Sequence, residues 1–249
     1  MTGHEVLYGM HPVFEALRAD RRSIHTLYLG PENRSGRGLQ IRKLAQSGSI
    51  AIRELPNTKL SDLTQTDEHQ GVAAEVSPYP ISDTGPLRQI DKHDVSPTIL
   101  VADQIVDPRN LGALIRTAMA VGINCVITPK DRCAPPTPLV SKSSAGALEH
   151  VHLIRVTNLV RTLTMLKDQG AWVYGLDQRA KADIYGTDWS GAIILVVGGE
   201  QRGLRPLVKK HCDHLVSIPQ QGGVASLNAS VAGAVAMYEI FRQKRFRGP

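Results

Sequence analysis

The chain has 249 residues, enough for one large domain or two small ones with a substantial core. Hydrophobic residues make up 42% of it, which favours a globular fold over disorder. No apolar run is long enough to span a bilayer, and the N-terminus lacks a signal-peptide pattern. The three scattered cysteines suit a reducing compartment, so we expect a cytoplasmic protein without a disulfide framework.

The net charge of +6 is unevenly distributed along the chain. Residues 1–60 carry nine Lys or Arg and five Asp or Glu, residues 61–97 carry two and seven, and residues 98–249 carry 18 and 11. Two basic segments around an acidic one favour an anionic partner such as nucleic acid. A merely soluble basic protein explains the charge equally well.

Residues 1–76 show a compact α+β pattern and are predicted to form a first domain. The predicted elements are a helix over 10–19, a strand over 25–30, a helix near 38–47 and a strand over 71–76. Residues 77–97 contain four prolines and many polar residues, which is typical of a linker.

Residues 98–249 alternate between predicted strands and helices. Strands are predicted over 98–103, 124–128, 150–156, 172–177, 192–198 and 214–218, with helices from 107 and near 139–148, 157–169, 203–211 and 226–244. Nearly continuous apolar strands in this alternation indicate an α/β domain, with a parallel sheet and helices on both faces.

The first predicted strand leads into DPRNLGALIRTA, residues 107–118, which has helix-start signals in Asp107 and Pro108. Arg109 and Arg116 are seven residues apart, so they lie almost one above the other on the helix. Small residues lie beside them: Gly112, Ala113 and Ala120. The fork of donors on Arg and the attraction of a helix N-terminus for anions favour a phosphate or substrate site here. An ordinary solvated helix face is the alternative.

Two further stretches follow predicted strands, at the edge where open parallel sheets bind ligands. In AIILVVGGEQRGL, residues 192–204, two glycines end a buried strand and precede Glu200. Glycines allow backbone to approach a ligand, but a lone Glu at this place is also typical of a helix cap.

The last stretch, SIPQQGGVASLNASVAG over residues 217–233, runs from a strand through a loop into a long helix. We expect this helix to be thoroughly buried and Ser226 to cap it. Its apolar residues Val231, Ala234, Val235 and Tyr238 indicate this burial. A cap at Ser226 does not explain why the polar Asn228 lies at the start of a buried helix.

Other chemistries lack a matching pattern. The spacing of His211, Cys212 and His214 fits no common zinc site, so no metal is expected. The glycine fingerprint of nicotinamide-dependent enzymes, the Walker sequence and the G-x-S-x-G nucleophile motif are absent.

Taken together, NLGALIRTA, LVVGGEQRGL and SIPQQGGVASLNASVAGA resemble the three ordered motifs of the SpoU (TrmH-like) branch of the SPOUT RNA methyltransferases. LYGMHPVFEAL and HQGVAAEV extend the resemblance to the N-terminal part. It implies a C-terminal trefoil knot, a homodimer and an N-terminal RNA-binding domain. The implied reaction transfers a methyl group from S-adenosylmethionine to a ribose 2′-hydroxyl, with a guanosine of 23S rRNA as the target.

The resemblance also implies site residues. The catalytic positions are Asn110, Arg116, Glu200 and Asn228, and the cofactor-binding positions are Gly198, Gly199, Ile218, Pro219 and Leu227. Arg109, Arg202 and Ser226 are expected to contact RNA, and Gln201 and Arg202 depart from the small or acidic residues of the family. We expect limited base stacking, since only 4% of the residues are aromatic, and binding through phosphate contacts and RNA shape.

The family's arginine is often proposed as the general base, but a guanidinium holds its proton very tightly. We therefore expect Arg116 to hold the target phosphate and stabilise alkoxide charge, with Glu200 orienting Arg116 or the ribose. Asn110 and Asn228 are expected to fix the motif loops. The alternatives are a ribose methyltransferase for tRNA or another rRNA, and a non-catalytic RNA-binding assembly factor.

Overall fold

The computed structural model describes residues 3–33, 35–82, 84, 87, 97–200, 202–222 and 226–246. Within the predicted linker, residues 83, 85–86 and 88–96 lie outside this part, and so does Gln201. Contacts divide the chain into two compact units. The first unit comprises Met1–Pro80 and Pro136–His150, and the second comprises Ile81–Pro135 and Val151–Pro249.

The first unit is built on a four-stranded sheet with the strand order β1-β4-β2-β3. Its elements are β1 (Glu5–Tyr8), α1 (Met10–Ala19), β2 (Ile24–Leu29), α2 (Gly36–Ser47), β3 (Ala51–Glu54), α3 (Asn57–Thr64) and β4 (Val72–Val76). β4 pairs antiparallel with β1 and β2, whereas β3 pairs parallel with β2. The core contains Leu7, Val13, Leu27 and Ile41, all of them fully buried.

A segment from the middle of the chain completes this unit. α5 (Pro138–Ser143) packs against β1, and a 3-10 helix over Ala147–His150 packs against α1. A buried ion pair anchors the segment, because Arg22 Nε lies 2.9 Å from Glu149 Oε2. The sequence assigned residues 136–150 to the second domain, and this assignment needs correction because the segment packs on the first sheet.

The second unit contains a seven-stranded sheet in which every pair is parallel, as predicted. Its strand order is β7-β6-β5-β10-β8-β11-β9. The strands are β5 (Thr98–Asp103), β6 (Cys125–Pro129), β7 (His152–Val156), β8 (Trp172–Leu176), β9 (Ala182–Asp183), β10 (Ile193–Gly198) and β11 (His214–Ser217). The helices are α4 (Pro108–Ala120), α6 (Leu159–Asp168), α7 (Pro206–His211) and α8 (Ala229–Phe246).

Helices cover both faces of this sheet, which confirms the predicted α/β layering. On one face, Ile99, Val101 and Ile194 share a core with Leu163 of α6 and Val208 of α7. On the other face, α8 packs against both α4 and β10. Gly233 makes this packing close, since a Cβ there would lie 2.3 Å from Leu114 Cδ2.

The expectation that α8 is thoroughly buried was wrong in part. Val231 is 47% exposed and Tyr238 is 53% exposed. α8 packs on α4 and β10 through the side that carries Gly233, so the side with Val231 and Tyr238 faces away from the sheet. The exposed side also carries large apolar residues, Val231 and Tyr238, which is why the sequence suggested burial all round.

Candidate active site

Three separate segments meet where β5, β10 and β11 end. Asn110 in the first turn of α4 donates through Nδ2 to Glu200 Oε1 at 2.7 Å. Asn228 donates through Nδ2 to Asn110 Oδ1 at 3.1 Å and also to Glu200 Oε1. These three residues, here called the polar triad, join the three motifs at the carboxyl edge of the parallel sheet, the edge at which such sheets bind ligands.

Helix caps hold the two asparagines in place. Asp107 caps α4 as predicted, since its carboxylate accepts a hydrogen bond of 2.8 Å from the Arg109 amide. Asn228 Oδ1 accepts from the Ser230 amide at 2.9 Å, which places the cap of α8 at Asn228. The assignment of the cap to Ser226 was therefore wrong, because α8 begins three residues later, at Ala229.

A tight turn after β10 presents Glu200. The Gly203 amide donates to the Gly199 carbonyl at 2.8 Å and closes the turn. A Cβ on Gly198 would lie 2.3 Å from Gly203 C, and a Cβ on Gly199 would lie 2.5 Å from the Gln104 carbonyl oxygen. Glycine is required at both positions because backbone packs directly against them.

A buried ion pair at the end of β5 holds the far side of this turn. Asp103, fully buried, accepts hydrogen bonds from the Arg205 amide at 3.0 Å and from Arg205 Nε at 2.7 Å. Both bonds come from Arg205, the residue at which the turn leads into α7. The carboxylate of Asp103 thus fixes the chain that follows Glu200, and the sequence patterns did not single it out.

A cavity of about 450 Å³ lies on one side of the turn. Four of the five predicted cofactor residues line it, namely Gly198, Gly199, Ile218 and Leu227, together with the predicted RNA-contacting Ser226. Pro219, the fifth predicted cofactor residue, does not line this cavity. The residues that resemblance assigned to one ligand therefore share one wall, apart from Pro219.

The other wall of this cavity carries charged residues that the sequence did not single out. Asp177 follows β8, and its carboxylate pairs with Lys209. Burial raises the pKa of Asp177, but the Lys209 hydrogen bond, the Arg179 amide and both positive charges outweigh it and hold the pKa below its usual range. The signal was available, because Asp177 ends a predicted strand in the same way as Glu200 does.

A second cavity, of about 380 Å³, lies on the other side of the same turn. Asn110, Arg132, Glu200 and Arg202 line it. Gly199, Glu200 and Arg202 contribute to both cavities. Glu200 therefore stands at the boundary between two spaces, each large enough for a small ligand group, while Asn110 lines only the smaller one.

Arg109 and Arg116 lie apart from the triad. Both are exposed on α4, and neither lines a cavity described above. Asn110 and Arg116 are six residues apart, so they point about 120° from each other around the helix axis. Within the described part of the chain, no hydrogen bond or ion pair joins Arg116 to Glu200, so the expected orientation of Arg116 by Glu200 is not seen in a single chain.

The histidines and cysteine near α7 have other contacts. His211 Nδ1 lies 2.9 Å from the Leu207 carbonyl oxygen, and Cys212 Sγ lies 3.4 Å from that of Val208. Among the residues that the structure describes, no cluster of three His, Cys, Asp or Glu side chains could hold a metal ion. No described helix is both long and apolar enough to cross a membrane.

Comparison with protein families gives two matches, one to each half of the chain. The SpoU rRNA Methylase family matches residues 97–238. A family described as RNA 2′-O ribose methyltransferase substrate binding matches residues 6–82.

Individual proteins resemble the chain over nearly its whole length. A Bacillus subtilis protein of the TrmH family of tRNA/rRNA methyltransferases is 38% identical over 97% of this chain and 96% of its own. A 23S rRNA (guanosine-2′-O-)-methyltransferase of Ralstonia nicotianae is 40% identical over 98% of each chain. The fold is similar to that of a SpoU methyltransferase from Streptomyces viridochromogenes, with a TM-score of 0.81, 24% identity and coverage of 99% and 92%.

Proposed function

The chain belongs to the SpoU rRNA methylase family, and we propose that it transfers a methyl group from S-adenosylmethionine to a ribose 2′-hydroxyl of 23S rRNA. The observation that carries this proposal is the polar triad, which joins three motif segments and fixes Glu200 at the boundary between two cavities. Methyl transfer needs two ligands held in line on either side of the reacting groups. This arrangement provides one space for each.

S-adenosylmethionine would occupy the larger cavity and supply an activated methyl group on a positively charged sulfur. The backbone at Gly198 and Gly199 would contact the cofactor closely. Side chains at these two positions would prevent that contact. Ile218 and Leu227 would provide apolar contacts, and Pro219 would act by directing the loop after β11. The Streptomyces relative, whose structure is a complex with this cofactor, has the same fold.

The target ribose would enter the smaller cavity. Arg132 and Arg202 line it and would bind phosphates, with Arg109 along the RNA path and Ser226 on the far side of the turn. The Glu200 carboxylate already accepts two amide hydrogen bonds, which keep it fixed beside the 2′-hydroxyl. Arg116 would bind the target phosphate and stabilise the negative charge that develops on the ribose oxygen.

A homodimer would bring Arg116 to a site, since in a single chain it does not reach the triad. We propose that the exposed sides of α4 and α8 form the subunit interface. These helices pack together, and both carry exposed apolar residues: Met119, Val231 and Tyr238. Arg116 lies on the exposed part of α4 and would face the site of the other subunit.

We also propose the trefoil knot that the family resemblance implies. β9 belongs to the connection from β8 to β10, yet β11 lies between β8 and β9 in the sheet. The later segment therefore enters the space bounded by an earlier connection before the chain continues to α8. This order of strands supports a threaded chain.

The first unit would bind the RNA substrate, in keeping with the substrate-binding family that it matches. Two guanidinium groups lie close to the Phe14 ring, with Arg37 at 5.0 Å and Arg18 at 5.6 Å from the ring centre. Arginine beside an aromatic ring offers both charge and a stacking surface to RNA. We place the whole reaction in the cytoplasm, where bacterial rRNA is made.

Transfer of labelled methyl groups to separate RNA classes tests this function. Purified protein with labelled S-adenosylmethionine is incubated with 23S rRNA transcripts, 16S rRNA transcripts and tRNA. We expect label in 23S rRNA at a rate at least tenfold above the other two. Faster labelling of tRNA would show that tRNA, and not 23S rRNA, is the target. If no RNA is labelled, the proposed reaction is wrong and a non-catalytic RNA-binding factor is the function that stays.

A further inference from the structure

The amino edge of the seven-stranded sheet carries a group of aromatic side chains. Trp172 and Tyr174 are two residues apart on β8 and so share one face of the sheet. His214 pairs in register with Tyr174 from β11. The His214 ring centre lies 5.6 Å from that of Trp172 and 5.1 Å from that of Tyr174. These three residues are called the aromatic pocket.

The rings border an open concavity of about 440 Å³ and do not form part of the sealed core. Trp172 is 51% exposed, and His214 is also exposed, whereas Tyr174 forms the buried floor. The connection from β9 to β10 supplies a polar rim, on which Ser190 Oγ donates to Asp188 Oδ2 at 3.0 Å. A flat aromatic wall with a polar rim matches a planar heterocycle, whose faces stack and whose edges form hydrogen bonds.

Positive charge lies on the same face of the sheet. Lys244 Nζ, in the last turn of α8, donates to Thr98 Oγ1 at 2.9 Å. Thr98 and Trp172 are both in register with Ile193 of the strand between them, so their side chains point to one face. The backbones of Thr98 and Trp172 lie about 10 Å apart, which is two strand spacings. A short stretch of single-stranded RNA could therefore stack a base at one point and place a phosphate at the other.

We propose that the aromatic pocket binds an unpaired nucleobase of single-stranded RNA, with Trp172 and His214 as the stacking surface and Lys244 beside the backbone. This site lies at the amino ends of the strands, whereas the polar triad lies at their carboxyl ends. It rests on the proposed function in one respect, namely that RNA is the substrate. The role of the aromatic pocket is to bind a part of the RNA other than the nucleotide that is methylated.

Intrinsic fluorescence reports on this site directly, because the chain has two tryptophans and Trp189 is only 1% exposed. Full-length protein is titrated with hexaadenylate RNA and with a hexamer of abasic ribose phosphates. We expect saturable quenching of Trp172 emission by the first, and at least tenfold weaker binding of the second. Equal binding of the two oligonucleotides would show that bases are not recognised and would overturn the proposal.

Variants separate stacking from other effects. Trp172→Ala is expected to weaken binding of a labelled hexaadenylate about tenfold, and Trp172→Phe to weaken it less, because base stacking depends on the ring. The matched control is Tyr185→Ala, which removes another exposed aromatic ring outside the pocket and is expected to leave binding unchanged. Lys244→Ala is expected to lower the slope of log affinity against log salt by about one. Equal affinity of Trp172→Ala and Tyr185→Ala would contradict the proposal.

Two further measurements identify what failed. If Trp172→Ala changes the subunit composition in solution, the pocket is an interface between copies of this chain and the proposal is wrong. Wild-type protein that methylates rRNA but does not bind hexaadenylate would refute this site alone. Wild-type protein that binds hexaadenylate through Trp172 but methylates no RNA would keep the site and refute the proposed reaction.

Discussion

Two glutamates of this chain accept similar hydrogen bonds in opposite surroundings. Glu149 in the first unit is almost fully buried, paired with Arg22 and hydrogen-bonded by Ser141 Oγ at 2.7 Å. Glu200 in the second unit is exposed at the boundary of two cavities and, among the described residues, accepts hydrogen bonds from the two asparagines of the triad. The first carboxylate is closed off from ligands, and the second is open to them.

The difference in burial distinguishes a structural polar group from a functional one better than the hydrogen bonds alone do. A buried pair costs desolvation of both charges, and losing one partner leaves the other uncompensated. An exposed carboxylate adds little to stability, yet the chain uses three glycine-dependent or capped segments to hold Glu200 in place. We infer that Glu149 is kept for the fold and Glu200 for chemistry.

The largest expected effect follows from removing the functional carboxylate. Glu200→Ala should lower methyl transfer between about 100- and 1000-fold, the usual cost of a lost preorganised polar group. Its melting temperature should stay close to that of the wild type because the side chain is exposed. Rates come from single-turnover transfer of labelled methyl groups. Asp168→Ala, an exposed acid on α6, is the control and should retain full activity.

The opposite pattern is expected for the structural glutamate. Glu149→Ala should lower the free energy of unfolding by about 3 kcal/mol, because the buried Arg22 charge then keeps only the partly exposed Glu5 as an ionic partner. Urea titrations monitored by circular dichroism measure this change. The double variant Arg22→Met with Glu149→Leu removes both charges and should regain most of the loss. If the double variant is as unstable as the single one, unpaired charge is not the cause.

A smaller effect on activity is expected from the carboxylate beneath the turn. Asp103→Asn keeps the shape but weakens the ion pair to Arg205, so the turn should hold Glu200 less precisely. We expect kcat to fall about tenfold with the KM for RNA unchanged, since misplacement affects the reacting geometry more than binding. Steady-state kinetics over a range of RNA concentrations separate the two. A change in KM alone would assign Asp103 to RNA binding.

The pH dependence of stability should also report on the burial of Glu149. Burial raises the pKa of Glu149 above its usual range, and the Arg22 charge and the Ser141 hydrogen bond offset this only in part. A raised carboxyl pKa means that the folded state binds the proton more tightly, so stability falls as pH rises from the ordinary pKa through the raised one. Unfolding free energies of the wild type should show this decline, and those of Glu149→Gln should not. A parallel decline in both would exclude Glu149 as its source.

The smallest expected effect concerns the thiols. Burial raises the pKa of Cys125 and Cys212 to about 12, so both remain protonated at neutral pH. Alkylation by iodoacetamide at neutral pH should be slow in native protein and fast in urea, because the thiolate is the reactive form. Mass spectrometry of labelled peptides follows each cysteine. Rapid native labelling of either cysteine would contradict the burial of that thiol.

Periodicity predicted the second unit better than the first. Buried parallel strands such as Ile193–Gly198 are continuous apolar runs, which sequence reveals directly. Strands of four residues such as Ala51–Glu54, which is largely exposed, and the two-residue Ala182–Asp183 lack such a signal. Residues 136–150 belong to the first unit through contacts such as the Arg22–Glu149 pair, which spans more than 100 positions and which no local pattern contains.

The site was predictable as a set of motifs but not as a geometry. Resemblance singled out Asn110, Glu200 and Asn228, and the structure joins them by hydrogen bonds. The cap of α8 was assigned to the wrong residue because Ser226 and Asn228 are both good N-caps. Asp103 and Asp177 were missed because acidic residues are common at strand ends. Only the fold shows which of these acidic residues faces a cavity. The catalytic roles stay predictions.

The most direct test of the central claim is the chemical position of the transferred methyl group. Rate comparisons cannot distinguish ribose from base methylation, but alkaline hydrolysis can, because it requires a free 2′-hydroxyl next to each cleaved phosphate. 23S rRNA labelled by this protein is hydrolysed in alkali and its products are separated by size. We expect the label to be recovered in alkali-resistant dinucleotides containing 2′-O-methylguanosine. Label in mononucleotides would place the methyl group on a base and contradict this expectation.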